Sequence, residues 1–346
     1  MTDLNLLIIG AGAIGTYIGG SLLLNGQRVV FLDRPGTADS IAAAGMKLVI
    51  DGQTRVIDHP VVIESLPESL QKGPFDAALV AVKSYDTPTL AEQLSLFKGQ
   101  MPPILCMQNG VENEEVYSTA LGPDRVIAGT LTSAIGKPAY GTAVLEKLRG
   151  IGIADQQEVS KKIVEGFNQA GLQARLYADA KSMKWSKLVT NLLANASSAI
   201  LDMPPSEIYS HPGLYEMEAR QIREALEVMR RLGLQVVDLP GTPVRLLALL
   251  MQFVPTWIGR RLSVRLLSRG RGGKMPSFHI DLHSGRGQTE VDFLNGAVVR
   301  FGEQFGVQTP VNRMLAVTLQ QLTNGSQPLD SYRGQAEKLL DHLKIY

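Results

Sequence analysis

Apolar residues in the first half of the chain form short runs, separated by stretches with helical spacing. Residues 4–9 are apolar except at Asn5, and such a run is typical of a strand buried on both faces of a parallel sheet. Residues 14–25 follow with helical spacing, and further strands are predicted at 28–32, 76–82, 104–108 and 126–130. Strands that alternate with helices in this way predict a doubly wound α/β domain.

The hydrophobic pattern changes near residue 178, and the rest of the chain is mainly helical in its spacing. Helices are predicted at 180–201, 211–232, 290–305 and 310–322. The length of 346 residues suits two domains. We therefore expect an α/β domain over residues 1–178 and a mainly α-helical domain over residues 179–346.

A glycine-rich loop separates the first predicted strand from the first predicted helix. This glycine loop has the pattern GxGxxG and consists of Gly10, Ala11, Gly12, Ala13, Ile14 and Gly15. In such a loop the first glycine permits a tight turn, the second lets a pyrophosphate approach the backbone, and the third lets helix and strand pack closely. The helix N-terminus favours the negative charge of the pyrophosphate. The loop therefore predicts a Rossmann-like domain that binds a dinucleotide.

Two residues after the second predicted strand give opposite indications of which dinucleotide binds. Asp33 lies 18 residues after Gly15, close to where an acidic residue accepts a hydrogen bond from the ribose 2′-OH of NAD. Arg34 comes next and could pair with the 2′-phosphate of NADP. If the Asp33 side chain turns away from the ribose, Arg34 decides for NADP. The residues by themselves leave NADP(H) and NAD(H) both open.

Charge and composition exclude several classes of protein. The chain has 34 basic and 33 acidic residues, so no bulk attraction to nucleic acid or to an anionic membrane is indicated. The single cysteine, Cys106, excludes an internal disulfide and a cysteine-cluster zinc site. The five histidines are scattered, and no metal site is expected. We see no signal peptide and no run of about 18 apolar residues, so a cytoplasmic location without a membrane partner is expected.

A series of motifs follows the glycine loop and extends to about residue 312. In chain order they are Val82-Lys83, Gln108-Asn109-Gly110-Val111, the sequence WSKLVTN at 185–191 with Asn195 beyond it, Pro276-Ser277, and TEVDFLNG at 289–296. The series resembles that of the ketopantoate reductase (2-dehydropantoate 2-reductase) family, within the 6-phosphogluconate-dehydrogenase-like superfamily.

The resemblance implies a Rossmann domain, a helical domain and a cleft between them. It implies NADPH-dependent reduction of 2-dehydropantoate to (R)-pantoate, a step in pantothenate and coenzyme A synthesis. It also implies a role for each matching residue: Lys187 as the catalytic lysine, Asn191, Asn195, Ser277 and Glu290 around the substrate, Lys83 and Asn109 at the cofactor, and Arg34 at the 2′-phosphate.

Lys187 suits the chemistry of ketone reduction. Hydride transfer places negative charge on the carbonyl oxygen, and a nearby ammonium group stabilises that charge and can deliver the proton. On one helix over residues 180–201, Asn191 at i+4 and Asn195 at i+8 would project from the same face as Lys187. The alternative is an exposed lysine with two amides that bond to neighbouring backbone.

The remaining candidates also have structural alternatives. Glu290 could accept a hydrogen bond from a substrate hydroxyl or orient Lys187, but it also suits the N-terminus of a helix; both can hold together. Lys83 and Asn109 follow predicted strands, where ligands of open α/β sheets collect, or they are surface loop residues. Ser277 is either a substrate contact or an ordinary loop residue.

Residues 239–280 form a basic segment with seven basic and no acidic residues. It could be a helical hairpin packed on its own domain or on a second subunit in a homodimer. It could also form an anion-attracting wall over the substrate, or associate with a membrane surface. Because residues 240–275 are longer and more basic than in the family, a reductase of a different small oxo acid stays open. A non-catalytic dinucleotide-binding sensor would need the glycine loop but not Lys187.

Overall fold

The computed structural model describes residues 3–254, 259–260 and 275–346. The chain divides into two compact units, the first of Met1–Lys184 with Leu239–Thr242 and the second of Trp185–Asp238 with Pro243–Tyr346. The domain limits 1–178 and 179–346 stay a prediction. Most of the basic segment's charge lies outside the described residues, at 261–274, so the alternatives for that segment, including a homodimer, also stay predictions.

The first unit contains strands and helices in alternation. Its strands are β1 (Asn5–Ile9), β2 (Arg28–Leu32), β3 (Met46–Ile50), β4 (Gln53–Ile57), β5 (Val61–Ile63), β6 (Ala77–Val80), β7 (Ile104–Cys106), β8 (Val126–Leu131), β9 (Ala134–Ala139), β10 (Thr142–Lys147), β11 (Ile151–Ala154) and β12 (Ala174–Tyr177). Its helices are α1 (Ala13–Leu24), α2 (Thr37–Ala44), α3 (Leu66–Leu70), α4 (Thr87–Ser95), α5 (Asn113–Leu121) and α6 (Glu158–Gln169).

The main sheet of this unit has the strand order β12-β11-β8-β7-β6-β1-β2-β5 among the described residues. Its neighbouring strands are parallel except for the antiparallel pair β8 and β11. Alternate residues of β1 enter two separate hydrophobic cores, with Leu6 and Ile8 in one and Leu7 and Ile9 in the other. This strand is therefore buried on both faces, and the predicted doubly wound α/β domain is confirmed.

A second sheet, of order β4-β3-β10-β9, was not predicted. Its strands alternate short apolar groups with polar and exposed positions, so they lack the continuous apolar run that marks the main sheet. One signal was present: Asp51 and Gly52 join β3 to β4, and both have positive φ, of 52° and 76°. Asp-Gly is a preferred sequence for such a two-residue hairpin turn.

The described part of the second unit is mainly helical, as predicted. Helix α7 (Ala180–Leu192) crosses the division between the units and is followed by α8 (Asn195–Leu201), α9 (Pro205–Ser210), α10 (Pro212–Arg231), α11 (Val244–Phe253), α12 (Ser277–Leu282), α13 (Ala297–Phe305), α14 (Pro310–Thr323) and α15 (Ala336–Leu343). A wide π turn, Asp292–Gly296, precedes α13. No helix within the described ranges is long and apolar enough to cross a membrane.

Candidate active site

The glycine loop connects β1 to α1, and its three glycines have different reasons to be glycine. Gly10 has φ +100°, and a Cβ at Gly15 would lie 2.0 Å from the carbonyl oxygen of Gly10. Gly12 has φ −73°, and a Cβ there would meet no atom within 4 Å. The fold thus requires Gly10 and Gly15, whereas Gly12 leaves open space at the N-terminus of α1.

The first turn of α1 is suited to hold an anion. Gly12 occupies the N-cap position and has no side chain to cap the turn. The N–H groups of Ala13 and Ile14 belong to this first turn, where no intrahelical acceptor exists. An open approach beside Gly12, with free N–H groups and the positive end of the helix dipole, fits a dinucleotide pyrophosphate.

Asp33, at the end of β2, is turned toward the glycine loop. Its Oδ2 accepts a hydrogen bond from the Ala11 N–H at 2.5 Å, and its Oδ1 accepts one from the Arg34 N–H at 2.7 Å. Both carboxylate oxygens therefore bind backbone, and Asp33 ties the end of β2 to the loop after β1. The Arg34 side chain is exposed.

Lys83 and Asn109 lie in two loops that are hydrogen-bonded to each other. These loops follow β6 and β7, whose carboxyl ends share an edge of the sheet with the glycine loop because β7, β6, β1 and β2 are adjacent and parallel. The Lys83 carbonyl accepts from Gln108 Nε2 at 3.3 Å. The Asn109 carbonyl accepts from Ser84 Oγ at 2.8 Å and from Asn113 Nδ2 at 2.5 Å. Lys83, Asn109 and the glycine loop thus lie along one edge of the first unit.

A buried lysine that the sequence did not single out anchors the start of α7. Lys184 Nζ lies 2.7 Å from Glu114 Oε1 and donates to the carbonyls of Gln108 (2.7 Å) and Gly129 (3.3 Å). A buried ammonium group requires such partners. Its position between the buried residues Met183 and Trp185 was the available signal, but its partners are 55 or more residues away in the chain.

The helix predicted over residues 180–201 is broken, and that prediction is corrected here. α7 ends at Leu192, Ala194 has φ 47°, and α8 begins at Asn195. Buried Glu218 of α10 stabilises the break, since its Oε2 accepts from the Ala194 N–H at 2.7 Å and its Oε1 from Ser197 Oγ at 2.6 Å. Asn195 therefore does not continue the helical face of Lys187.

Lys187 and Asn191 stay one turn apart on α7, and both are half-buried. Residues at this spacing lie on the same face of a helix. Trp185, two positions before Lys187, contacts Phe301 of α13 edge to face, with ring centroids 5.3 Å apart. The C-terminal half of α7 is thus packed within the helical unit, and Lys187 and Asn191 lie together on one face of it.

Asn195 and Ser277 are brought into contact. Asn195 Nδ2 lies 3.3 Å from Ser277 Oγ and donates to the Asn191 carbonyl at 3.0 Å, while its Oδ1 accepts from the Phe278 N–H at 3.1 Å. These contacts join the starts of α8 and α12. Asn195 is only 4% exposed. Its amide bonds to neighbouring backbone, which was the alternative to a substrate contact for this residue.

Glu290 is almost fully buried, with 2% of its surface exposed. It directly precedes the helical residues that begin at Val291, and its carbonyl accepts from the Phe293 N–H at 3.0 Å. The π turn that starts two residues later is an uncommon feature that often marks functional sites. Within that turn, Asp292 binds Arg300 at 2.9 Å, so it has a structural partner of its own.

Comparisons with known proteins give the family. Residues 6–157 match the family described as ketopantoate reductase PanE/ApbA, and residues 179–323 match its C-terminal family. The 2-dehydropantoate 2-reductase of Archaeoglobus fulgidus is 28% identical over 89% of this chain and 94% of its own length. That of Pyrococcus horikoshii is 26% identical over 90% of this chain and 95% of its own length.

Solved structures agree in fold. A PanE/ApbA family ketopantoate reductase from Ralstonia eutropha JMP134 matches with TM-score 0.78 and 25% identity, covering 94% of this chain and 100% of that one. D-mandelate dehydrogenase with NADH and anilino(oxo)acetate matches with TM-score 0.75 and 18% identity, over 93% of this chain and 99% of that one, which bears on the fold alone. By its two family matches and its fold, this chain belongs to the ketopantoate reductase family of oxidoreductases.

Proposed function

We propose that this chain reduces the ketone of 2-dehydropantoate to the alcohol of (R)-pantoate with NADPH. The observation that carries the proposal is the half-buried pair of Lys187 and Asn191, one turn apart on α7 in the matching motif. Relatives named 2-dehydropantoate 2-reductase that align along about nine-tenths of the chain support the same substrate.

The first unit supplies the residues that would hold the dinucleotide. The glycine loop would take the pyrophosphate, and Lys83 and Asn109 would contact the cofactor from the neighbouring loops. Both Asp33 oxygens accept hydrogen bonds from backbone N–H groups, which gives this carboxylate a structural role, whereas the exposed guanidinium of Arg34 can pair with a 2′-phosphate. This favours NADP(H) over NAD(H). The bound cofactor supplies the hydride.

The helical unit supplies the remaining chemistry. Lys187 stabilises the negative charge that develops on the carbonyl oxygen and donates a proton from Nζ to that oxygen. Asn191, one turn away, offers an amide to the substrate. Glu290 accepts a hydrogen bond from a substrate hydroxyl. Asn195 and Ser277, which contact each other at 3.3 Å, would complete the substrate-binding residues.

A substrate panel tests the proposal. We expect the consumption of NADPH, followed by its absorbance, to show the highest kcat/KM with 2-dehydropantoate among small 2- and 3-oxo acids, and NADH to be a poorer donor. A higher kcat/KM with a different oxo acid would show that 2-dehydropantoate is not the preferred substrate. Failure to consume NADPH with any oxo acid, while the chain still binds NADPH, would indicate a dinucleotide sensor and refute the proposal.

A further inference from the structure

Three side chains without a role in the proposed reaction lie together where α8 and α12 end. They are Asp202, directly after α8, His279 within α12, and His283 directly after α12. His279 Nε2 lies 2.7 Å from Asp202 Oδ1, and the two imidazole ring centroids are 4.3 Å apart. One possible ligand atom from each residue lies within 4.8 Å of the others.

The local backbone explains this grouping. His279 and His283 are four residues apart on one helical turn, in which the His283 N–H donates to the His279 carbonyl at 3.1 Å, so their rings project from the same face. Asp202 has φ 51°, a left-handed conformation that aspartate tolerates better than most residues. The expectation of no metal site did not take into account that His279 and His283 have the HxxxH spacing. Asp202, 77 residues before His279, has no sequence signal.

We propose that Asp202, His279 and His283 form a binding site for a divalent transition-metal ion, with Zn²⁺ as the preferred ion. Two imidazoles and one carboxylate are a ligand set that zinc uses, with bonds of about 2.0–2.2 Å. A tetrahedral ion would set its ligand atoms about 3.3–3.6 Å apart. The present arrangement is close to these separations, since His279 Nε2 and Asp202 Oδ1 are 2.7 Å apart and no two of the three ligand atoms are more than 4.8 Å apart. Small side-chain rotations would therefore bring the three residues into place.

The site is accessible and incomplete in a way that suits an exchangeable ion. His283 is exposed, whereas His279 and Asp202 are half-buried. Three protein ligands leave the fourth position to water. The proposal does not depend on the proposed reaction, because none of these three residues is assigned to it.

Arg333 opposes the ion. Its Nε lies 3.0 Å from Asp202 Oδ2, so the guanidinium holds the carboxylate and places a positive charge beside the metal position. Removal of Arg333 should therefore strengthen metal binding, whereas removal of any ligand should weaken it. An adventitious histidine contact would not show this opposite response.

A bound ion would reinforce an existing arrangement. The start of α8 is joined to the start of α12 by Asn195 and Ser277, and the end of α8 is joined to the middle of α12 by Asp202 and His279. An ion that adds His283 to the second joint would link the helices more firmly at that end. Zn²⁺ should therefore raise the thermal unfolding temperature of the chain.

The test is a Zn²⁺ titration of the full chain, without an affinity tag, in competition with a chromophoric chelator. We expect one ion per chain, an affinity at least tenfold weaker in His283→Ala and Asp202→Asn, and a tighter affinity in Arg333→Ala. His59→Asn is the control, since His59 is exposed, lies far from the site in sequence, and has a positive φ that asparagine tolerates.

His283→Ala and Asp202→Asn should preserve the fold, since His283 is exposed and asparagine suits the left-handed backbone of residue 202. The rise in unfolding temperature with Zn²⁺ should be lost in His283→Ala and kept in His59→Asn. The proposal is overturned if the wild-type chain does not compete with the chelator, or if His283→Ala binds Zn²⁺ as tightly as the wild type. It is also overturned if Arg333→Ala binds more weakly.

Discussion

Lys184 Nζ and Glu114 Oε1 lie 2.7 Å apart, with only 5% of the lysine side chain exposed. The pair joins the start of α7 to α5, and the same ammonium group binds the carbonyl that precedes Asn109. Breaking a buried ion pair leaves an uncompensated charge, which typically costs about 3–5 kcal/mol.

Lys184→Met should therefore lower the free energy of unfolding of the first unit by about 3 kcal/mol. The double variant Lys184→Met/Glu114→Gln should recover part of that loss, because the unpaired carboxylate is removed. Lys181→Met is the control: Lys181 is exposed on the same helix, and its loss should cost less than about 0.5 kcal/mol. Denaturant unfolding followed by circular dichroism measures all three; equal effects of the two single variants would contradict the prediction.

Substitution of Gly15 should affect stability, whereas substitution of Gly12 should affect dinucleotide binding. Gly15→Ala should destabilise the chain by about 1–3 kcal/mol, because the new methyl would overlap the Gly10 carbonyl. Gly12→Ala should change stability by less than about 1 kcal/mol but weaken dinucleotide binding about tenfold or more, since the methyl fills the approach of the pyrophosphate. Thermal unfolding and NADPH fluorescence titration check the pair. Normal NADPH affinity in Gly12→Ala would show that the open space is not used by the cofactor.

Arg34→Ala should raise the Michaelis constant for NADPH by about 10–100-fold, the effect of losing charge-assisted hydrogen bonds to a phosphate. The constant for NADH should change little, because NADH has no 2′-phosphate. Steady-state kinetics with both cofactors measure the difference. Equal changes for the two would mean that Arg34 does not read the ribose.

Lys187→Ala should reduce turnover by about 10²–10³, because the ammonium group interacts more strongly with the developing alkoxide than with the neutral ketone. NADPH affinity should be nearly unchanged, since the glycine loop belongs to the other unit. Glu290→Ala should instead raise the Michaelis constant for the oxo acid. Near-normal turnover in Lys187→Ala would show that Lys187 does not take part in the reaction.

Asp179 should contribute a stabilising cap to α7 that disappears in acid. Its Oδ1 accepts from the Ser182 N–H at 3.0 Å and its Oδ2 from Ser182 Oγ at 2.5 Å. Desolvation raises the pKa of Asp179, but the hydrogen bonds from Ser182 and the Lys181 N–H, together with the charge of Lys181, outweigh it and lower the pKa overall.

A lowered pKa in the folded state means that the carboxylate stabilises the fold above its unfolded pKa of about 3.9 and that this contribution is lost as the pH falls through the folded value. Asp179→Ala should therefore cost about 1 kcal/mol near neutral pH and progressively less as the pH falls through that range. Thermal unfolding of both proteins across this range tests the prediction. A constant difference at every pH would show that the charge of Asp179 does not stabilise α7.

The sequence predicted those elements whose signal is local. Continuous apolar runs gave β1, β2, β6, β7 and β8 nearly in place, and the helical spacing at 211–232 and 310–322 matches α10 and α14 closely. The break after Leu192 was missed because the residue that stabilises it, Glu218, lies in another helix. Lys184 was missed for the same reason, since a lysine gives no local sign that its partners lie in distant strands and helices. The roles assigned to the site residues stay predictions.

The break between α7 and α8 has a consequence for how activity losses in this chain are interpreted. Glu218 lies outside every recognised motif, yet it holds the backbone between Asn191 and Asn195. A variant with all motif residues intact but without this carboxylate would lose the hydrogen bonds that hold Asn191 and Asn195 at their present spacing. A relative that keeps the motifs but replaces Glu218 should therefore be checked for another acceptor for the residue 194 N–H before the same activity is assigned to it.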